Sequence, residues 1–425
     1  MIIIYRVLTF LLYPLLVLVI ILRKFINKED KLRYREKIFS TSFNVNRKKN
    51  SFLIWFHASS IGELKSILPI IRKLNKKNIE FLITTVTLSS SRIALDEFKK
   101  YKNIHHRFYP LDVRFLVRKF LNSWKPNAIF LVDSEIWPNL IFEARYQNIP
   151  IALLNARITN KTFRKWKIFP KTAKKIFQNI QMSLTSNLET KNYLEKLNAQ
   201  NVVFNGNIKL VSENKNSQYK NLNKNFLIKK KLWLAASIHV GEEIFCIKTH
   251  LKIKEKFNDL ITIIAPRHLD NIQKIKSKCE KLNLKVEVLN KDEKISKGKE
   301  IILINDFGVL QNYFEIVKSV FIGKSSLEKF KDVGGQNPID AAKLGCKIYH
   351  GPYVYNFQDI YKFLEKNNIS REVRSFDELS KNIIQDIENP NKNDNRNYNL
   401  INNLGNVTLK KTMKNVEKFL FNEII

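Results

Sequence analysis

The chain has 425 residues with 74 Lys or Arg and 39 Asp or Glu, which gives a formal net charge of +35. Hydrophobic residues make up 44% of the chain, enough apolar surface to exclude disorder over most of its length. The three cysteines are widely spaced, which excludes a disulfide scaffold and a Cys-rich zinc site. The positive charge favours an anionic partner, either nucleic acid or an anionic membrane surface, although a composition biased toward Lys, Asn and Ile also accounts for it.

An apolar run at residues 7–22 lies near the start of the chain and is followed by six Lys or Arg between residues 23 and 35. A bilayer span takes about 20 residues, and the apolar residues 2–4 extend this run. The segment lacks the small-residue exit of a cleaved signal peptide, and the basic residues after it favour a cytoplasmic position for the following chain. Residues 1–24 therefore predict an uncleaved, single-pass membrane anchor, and the alternative is a buried core helix.

Past residue 50, short apolar segments alternate with amphipathic ones, a pattern typical of parallel sheets covered by helices on both faces. We predict strands at 51–56, 80–86, 104–108, 128–132, 151–154 and 181–184. We predict helices at 63–74, 90–99, 114–121, 140–146 and 163–177.

A polar segment rich in Asn, Lys and Ser then interrupts the alternation, and we predict a linker at 207–228. The linker separates an N-terminal Rossmann-like domain at 25–206 from a second one at 229–400, and a C-terminal helix follows at 401–425. The second domain is predicted to have strands at 232–236, 260–265, 285–289, 301–304, 317–322 and 347–349, with helices at 242–256, 271–281 and 338–344. Two such halves predict a ligand cleft between the carboxyl ends of two sheets.

Glycine is scarce, with 11 in the chain, and five of these lie between residues 323 and 351. The turn that begins at Gly323 follows a predicted strand, and the turn that begins at Gly334 precedes a predicted helix. We therefore expect the N–H groups of both turns to bind phosphate. Arg267 follows a predicted strand and supplies a cation at the same edge of the sheet. Neither a P-loop nor a complete GxGxxG sequence is present.

Six loops lie at 57–63, 133–139, 155–157, 265–268, 334–338 and 351–357. Taken in this order, they resemble those of the 3-deoxy-D-manno-octulosonic acid (Kdo) transferases of lipopolysaccharide assembly. The resemblance implies a GT-B glycosyltransferase that moves Kdo, with inversion, from CMP-Kdo to the lipid A precursor (lipid IVA) at the cytoplasmic face of the inner membrane. It implies no metal and no cofactor besides this donor.

The resemblance also assigns roles to individual residues. Glu63 corresponds to the proposed base, and its place at a helix start favours the ionised carboxylate that a base needs. Glu135 and Lys209 correspond to groups that stabilise charge in the transition state. The residues implied to bind the CMP part of the donor are Pro266, Arg267, Phe307, Gly308, Val309, Asn337, Pro338, Ile339 and Asp340.

Three positions depart from the family pattern. Val309 lacks the usual carboxylate, Gln336 replaces a usual His, and Asp340 replaces a usual Glu. Two other classes of function remain open: a GT-B glycosyltransferase or epimerase that uses a UDP-sugar, and a non-enzymatic protein that binds nucleic acid or membrane. The anchor and the glycine turns argue against a nucleic-acid partner.

Overall fold

The structure is a computed structural model that describes residues 2–422 apart from 44, 46, 49–50, 76–77, 212–220 and 390–393. The chain divides into two compact units, of which the first comprises Met1–Ser212 with Leu404–Ile425 and the second Glu213–Asn403. The middle of the predicted linker, at 212–220, therefore lies outside the described residues.

The first unit contains a seven-stranded parallel sheet in the order β3-β2-β1-β4-β5-β6-β7. Its strands are β1 Phe52–His57, β2 Ile79–Thr85, β3 Ile104–Phe108, β4 Ala128–Val132, β5 Ile151–Ala156, β6 Met182–Thr185 and β7 Val202–Phe204. Its helices are α1 Ile2–Leu11, α2 Tyr13–Phe25, α3 Arg35–Ile38, α4 Ile61–Leu74, α5 Leu88–Phe98, α6 Arg114–Trp124, α7 Pro138–Tyr146, α8 Asn160–Ile168, α9 Pro170–Phe177 and α10 Leu188–Lys196.

Both faces of this sheet are covered, as its central strands show. All five residues of β4 are buried and apolar, the pattern expected of a central parallel strand. Alternate residues of β1 point to opposite faces, so Leu53 and Trp55 join one core cluster while Ile54 and Phe56 join another.

The second unit contains another seven-stranded parallel sheet, in the order β10-β11-β9-β8-β12-β13-β14. Its strands are β8 Lys231–Ile238, β9 Leu260–Pro266, β10 Val286–Leu289, β11 Ile301–Ile304, β12 Ser319–Ile322, β13 Lys347–His350 and β14 Ser370–Glu372. Its helices are α11 Lys224–Leu227, α12 Glu242–Lys254, α13 Ile272–Glu280, α14 Leu310–Phe314, α15 Ile339–Lys343, α16 Gln358–Lys366 and α17 Phe376–Glu388. The prediction of two α/β domains, each with a parallel sheet, is confirmed.

A long C-terminal helix, α18 Asp394–Asn422, follows the second unit and returns to the first. Its residues Met413, Val416 and Phe419 are buried in the same cluster as Ile54 and Phe130 of the first sheet. The rings of Phe130 and Phe419 meet edge to face, with centroids 5.4 Å apart. The helix therefore completes the core on one face of the first sheet.

The N-terminal apolar segment, which we predicted to be a single-pass membrane anchor, forms two helices. In the described part of the chain, no single helix is long and apolar enough to cross a bilayer, and α1 and α2 meet that criterion only as a pair bent by 51°. Pro14 occupies the first turn of α2 and lacks the N–H that would continue the helix from α1. The predicted helix at 163–177 is likewise two helices, because Pro170 begins α9 after a break at Phe169.

Candidate active site

Glu63 lies in the first turn of α4, close to the carboxyl end of β1, and caps its own helix. The Ser60 side chain accepts a hydrogen bond from the Glu63 N–H, and the Glu63 carboxylate accepts one from the Ser59 N–H at 2.7 Å. The Ser60 hydroxyl also donates to Glu63 Oε1 at 2.7 Å. This reciprocal arrangement is a variant of the capping box in which the carboxylate accepts from the residue before the N-cap, and it holds the carboxylate in one orientation at the helix start.

The charge state of Glu63 differs from the sequence prediction. The pKa of its carboxyl is raised from 4.5 to about 7, chiefly by burial and also by the nearby negative charges of Asp133 and Glu135. The Ser60 hydrogen bond and the Lys209 charge lower the pKa but do not outweigh burial. The expectation that the helix start favours the ionised form is therefore wrong, because removal from water and two like charges exceed the effect of the helix dipole.

Lys209 is held against Asp133, at the carboxyl end of β4. Its Nζ forms an ion pair with Asp133 Oδ2, and Asp133 Oδ1 accepts a hydrogen bond of 2.5 Å from the Asn155 side chain. Asn155 Oδ1 in turn accepts from the backbone N–H of Ile208, at 2.9 Å. Asn155 thus joins the end of β5 to the segment that carries Lys209, so this cation has a defined position beside the carboxylates.

The C-terminal helix supports the Lys209 segment from behind. A Cβ atom at Gly405 would lie 2.9 Å from the carbonyl oxygen of Leu210, so only glycine permits this close approach. Asn205, just before the segment, accepts a hydrogen bond from Asn415 and donates one to Thr412. This packing shows that α18 positions the segment that carries Lys209.

Glu135 pairs with His57 rather than with Lys209. Burial would raise the pKa of Glu135, but hydrogen bonds from His57, Ser59 and Trp137 outweigh it and hold the pKa below the usual value. The Trp137 indole N–H donates to Glu135 Oε2 at 2.8 Å, and His57 Nε2 lies 3.3 Å from the same atom. Of the two acidic residues in this loop, Asp133 is the one in contact with Lys209, and sequence analysis gave it no role.

The tautomer of His57 follows from its neighbours. Thr84 Oγ1 accepts a hydrogen bond from the Trp55 indole N–H at 2.8 Å and lies 2.8 Å from His57 Nδ1. We therefore infer that the Thr84 hydroxyl donates to Nδ1, which leaves the proton of the neutral ring on Nε2, facing Glu135. His57 is fully buried and acts as a donor that fixes Glu135.

The Asp133→Asn variant is expected to have a Glu63 pKa below about 7. The substitution removes a negative charge that raises this pKa, and it also removes the charge that offsets Lys209. Titration of the ¹³C-labelled Glu63 carboxyl by NMR measures the change. The exposed Asp96→Asn variant is the control with the same change in net charge, and a Glu63 pKa that stays at about 7 in Asp133→Asn contradicts the expectation.

The residues predicted to bind CMP lie along the carboxyl edge of the second sheet, but they differ in exposure. Arg267 follows β9 and is exposed, while its N–H donates to the carbonyl of Ile238 at 2.9 Å. Phe307 is exposed, and Gly308 has a φ of +82° in the turn after β11. Pro266, Val309, Pro338 and Ile339 are buried, whereas Asn337 is exposed and Asp340 half-buried.

The turn at Gly323 does not offer the open N–H groups that we predicted. The buried Glu242 carboxylate accepts hydrogen bonds from the N–H groups of Lys324, Ser325 and Ser326, at 2.6 to 3.1 Å. A Cβ at Gly323 would lie 2.6 Å from the Ser237 carbonyl oxygen, so glycine is needed here for close packing. The prediction of a phosphate-binding amide turn at Gly323 is therefore wrong, because a carboxylate of the same chain already occupies those donors.

A cationic cluster surrounds His239 instead, just after β8. The pKa of His239 is lowered from 6.5 to about 4, chiefly by burial and also by the positive charges of Lys324, His268, Arg267 and Lys329. The His239 ring also lies 5.4 Å from the ring of His268, measured between centroids. This edge of the second sheet is therefore suited to an anion, and His239 is a site residue that sequence analysis missed although it directly follows a strand.

Comparisons with known proteins agree with the resemblance seen in the loops. The family model described as 3-deoxy-D-manno-octulosonic-acid transferase (kdotransferase) matches residues 32–212. A probable mitochondrial 3-deoxy-D-manno-octulosonic acid transferase of Arabidopsis thaliana is 32% identical over 378 residues, which cover 86% of this chain and 82% of that protein. A 3-deoxy-D-manno-octulosonic acid transferase of Rickettsia bellii is 30% identical over 394 residues, 91% of each chain.

Several solved structures have a fold similar to that of this chain. A glycosyltransferase from Rickettsia africae superposes with a TM-score of 0.58 at 11% sequence identity, over 87% of this chain and 99% of that one. At this identity the superposition concerns the fold alone. In the described part of the chain, no three His, Cys, Asp or Glu side chains are arranged to hold a metal ion.

Proposed function

The chain belongs to the 3-deoxy-D-manno-octulosonic acid (Kdo) transferase family and is a glycosyltransferase, and from this premise we propose that it transfers Kdo from CMP-Kdo to the lipid A precursor with inversion. The observation that carries the proposal is the Glu63 carboxyl, oriented by its capping box and with a pKa of about 7. A group with this pKa accepts and returns a proton close to neutral pH, as a general base requires.

The proposed reaction begins with the ionised Glu63. One of its oxygens takes the proton of an acceptor hydroxyl as that hydroxyl oxygen attacks the anomeric carbon of Kdo. The bond between this carbon and the phosphate oxygen breaks, and CMP leaves with the bonding electrons on the face opposite the attack. Glu63 then returns its proton to solvent. The charges of Lys209 and Asp133 shift the pKa of the base in opposite directions. His57 contacts Glu135 and keeps it close to the other carboxylates.

The leaving phosphate gains negative charge, so its departure is easier beside fixed cations. The cluster of Arg267, His268, Lys324 and Lys329 around His239 supplies positive charge at the carboxyl edge of the second sheet, where open α/β folds bind ligands. We assign the phosphate to this cluster and not to the N–H groups of the Gly323 turn, which Glu242 uses. Val309 lacks a carboxylate, so its contact with a ribose is through main-chain atoms or is absent.

We also propose that α1 and α2 lie in the inner membrane and keep both units on its cytoplasmic side. The pair docks on the first unit through polar contacts, and its other side is apolar and exposed. An exposed apolar surface of this kind marks a contact with membrane or partner, and the basic residues after α2 suit anionic headgroups. The exposed residues include Ile3, Leu8, Leu11, Leu15, Leu18 and Leu22.

The assay for this function supplies purified full-length protein with CMP-Kdo and detergent-solubilised lipid A precursor. We expect release of CMP and a lipid product heavier by one or more Kdo residues, identified by mass spectrometry. UDP-N-acetylglucosamine is the control donor, and we expect no transfer and no binding with it. Preference for the UDP-sugar, or no mass change with CMP-Kdo, contradicts the proposal and favours the UDP-sugar enzyme considered above.

A further inference from the structure

A groove of about 420 Å³ lies between α1 and α6, and its lining does not include the carboxylates of the candidate active site. One part of its lining is apolar, with Val7, Phe10 and Phe115, and the other part is formed by Arg6, Arg114 and Arg118. The rings of Phe10 and Phe115 meet edge to face across it, with centroids 6.4 Å apart. The groove therefore combines an apolar surface with clustered guanidinium groups.

The three arginines converge on a single buried carboxylate, that of Glu143 in α7. Arg114 Nε lies 2.7 Å and Arg6 Nη2 3.1 Å from Glu143 Oε1, whereas Arg118 Nε lies 4.0 Å from Oε2. Glu143 is 1% exposed, and its Oε2 atom has no hydrogen-bond partner within the described structure. Three guanidinium charges against one carboxylate leave an excess of positive charge at the groove.

Another buried acid near the groove, Asp112, offsets only part of this charge. Its carboxylate accepts hydrogen bonds from the N–H groups of Asn139 and Leu140 and from the Tyr5 hydroxyl, so it is used within the fold. Burial raises the pKa of Asp112 to about 6. Arg114 and Arg118, in contrast, have about half of their side-chain surface exposed and can contact a further anion.

The surroundings of the groove suit a membrane lipid better than a soluble anion. Apolar residues on the same side of α1 are exposed, with Phe10 at 62% and Leu11 at 67% of their surface. Tyr146, whose ring lies 5.5 Å from the Arg118 guanidinium carbon, is also exposed, as aromatic residues at a membrane interface are. A phospholipid with its phosphate beside the arginines would have its acyl chains along this apolar surface.

We propose that the groove between α1 and α6 binds an anionic glycerophospholipid of the membrane, with Arg114 and Arg118 on the phosphate and the acyl chains against Val7, Phe10 and Phe115. Guanidinium groups bind phosphate through paired N–H donors, which suits them to this role. Lipid binding in this groove is separate from sugar transfer. This proposal depends only on the membrane association proposed above. It holds a membrane lipid and not the acceptor of the reaction.

The test is flotation of the full-length protein with vesicles of phosphatidylcholine alone or with one quarter phosphatidylglycerol. We expect the protein to bind the anionic vesicles at least tenfold more tightly than the neutral ones. Arg114→Gln with Arg118→Gln is expected to weaken binding to anionic vesicles by roughly 10- to 30-fold, given the usual contribution of each basic residue at a membrane surface. Arg118→Gln alone, which breaks no hydrogen bond to Glu143, is expected to weaken it about fivefold.

The control is Lys252→Gln with Arg374→Gln, two exposed residues of the second unit that give the same change in net charge. It is expected to bind anionic vesicles within about twofold of the unaltered protein. Equal losses in the control and in the double variant of Arg114 and Arg118 overturn the proposal. No loss in the Arg118→Gln variant, or no preference of the unaltered protein for anionic vesicles, does so as well. So does a raised KM for solubilised acceptor with unchanged vesicle binding, because that result assigns the arginines to the acceptor. None of the flotation measurements needs donor or acceptor, so they stand even if the proposed sugar transfer fails.

Discussion

The Glu63→Gln variant is expected to have a kcat about 10² to 10⁴ times lower than that of the unaltered enzyme, because the amide cannot take the proton of the acceptor hydroxyl. Initial rates of CMP release with saturating CMP-Kdo and acceptor measure the loss. In the unaltered enzyme, kcat/KM is expected to rise with pH through about 7, because Glu63 must lose its proton to act and its pKa is about 7. The remaining activity of Glu63→Gln is expected to lack this rise.

The chain offers a matched control for the structural role of Glu63. Glu378 occupies the same position of a second capping box, in which Ser375 accepts from the Glu378 N–H and Glu378 accepts from the Arg374 N–H at 2.9 Å. Glu378→Gln is expected to keep nearly full activity. If both variants lose activity alike, the effect of Glu63 is capping and not catalysis.

The stability of Glu63→Gln separates the two roles further. The pKa of Glu63 is raised in the folded protein from 4.5 to about 7, so the folded state binds the proton more tightly than the unfolded chain does. Stability from this group is therefore present at low pH and is lost as pH rises through about 7. Glu63→Gln removes this pH-dependent loss of stability. Above pH 7 its melting temperature, measured by differential scanning calorimetry, is therefore expected to be no lower than that of the unaltered protein.

The Lys209→Met variant is expected to lower kcat about 10²- to 10³-fold, because the cation fixed beside Asp133 no longer balances the charge that develops during transfer. Lys209 also lowers the pKa of Glu63, so its removal is expected to move the rise of kcat/KM to higher pH. The pH dependence of CMP release measures both effects.

Lys191→Met is the control for this variant, since Lys191 forms an exposed pair with Glu195 in α10 of the same unit. It is expected to leave kcat and the pH profile unchanged. A Lys209→Met enzyme with unchanged kcat, or with its activity rise moved to lower pH, contradicts the role given to Lys209.

Sequence pattern alone predicted most of the central strands, because buried parallel strands are continuous apolar runs bounded by polar loops. The predicted strands at 128–132 and 301–304 have the same bounds in the structure. Two edge strands of three residues each, β7 and β14, were missed because such short segments carry no readable period. The loop resemblance was confirmed by the relatives in Arabidopsis and Rickettsia, whereas the catalytic roles of Glu63, Glu135 and Lys209 stay predictions.

The sequence by itself determined the two α/β units, the loops at the carboxyl ends of their strands and the family, because these depend on local period and on residues adjacent in the chain. Only the tertiary structure decided which charges meet. Lys209 and Asp133 are 76 residues apart, and Glu242 occupies N–H groups that begin 82 residues further along. The local rule for a helix start predicted an ionised Glu63, but burial and neighbouring carboxylates raise its pKa. Such effects depend on distance in space and on exclusion of water, neither of which a linear pattern contains.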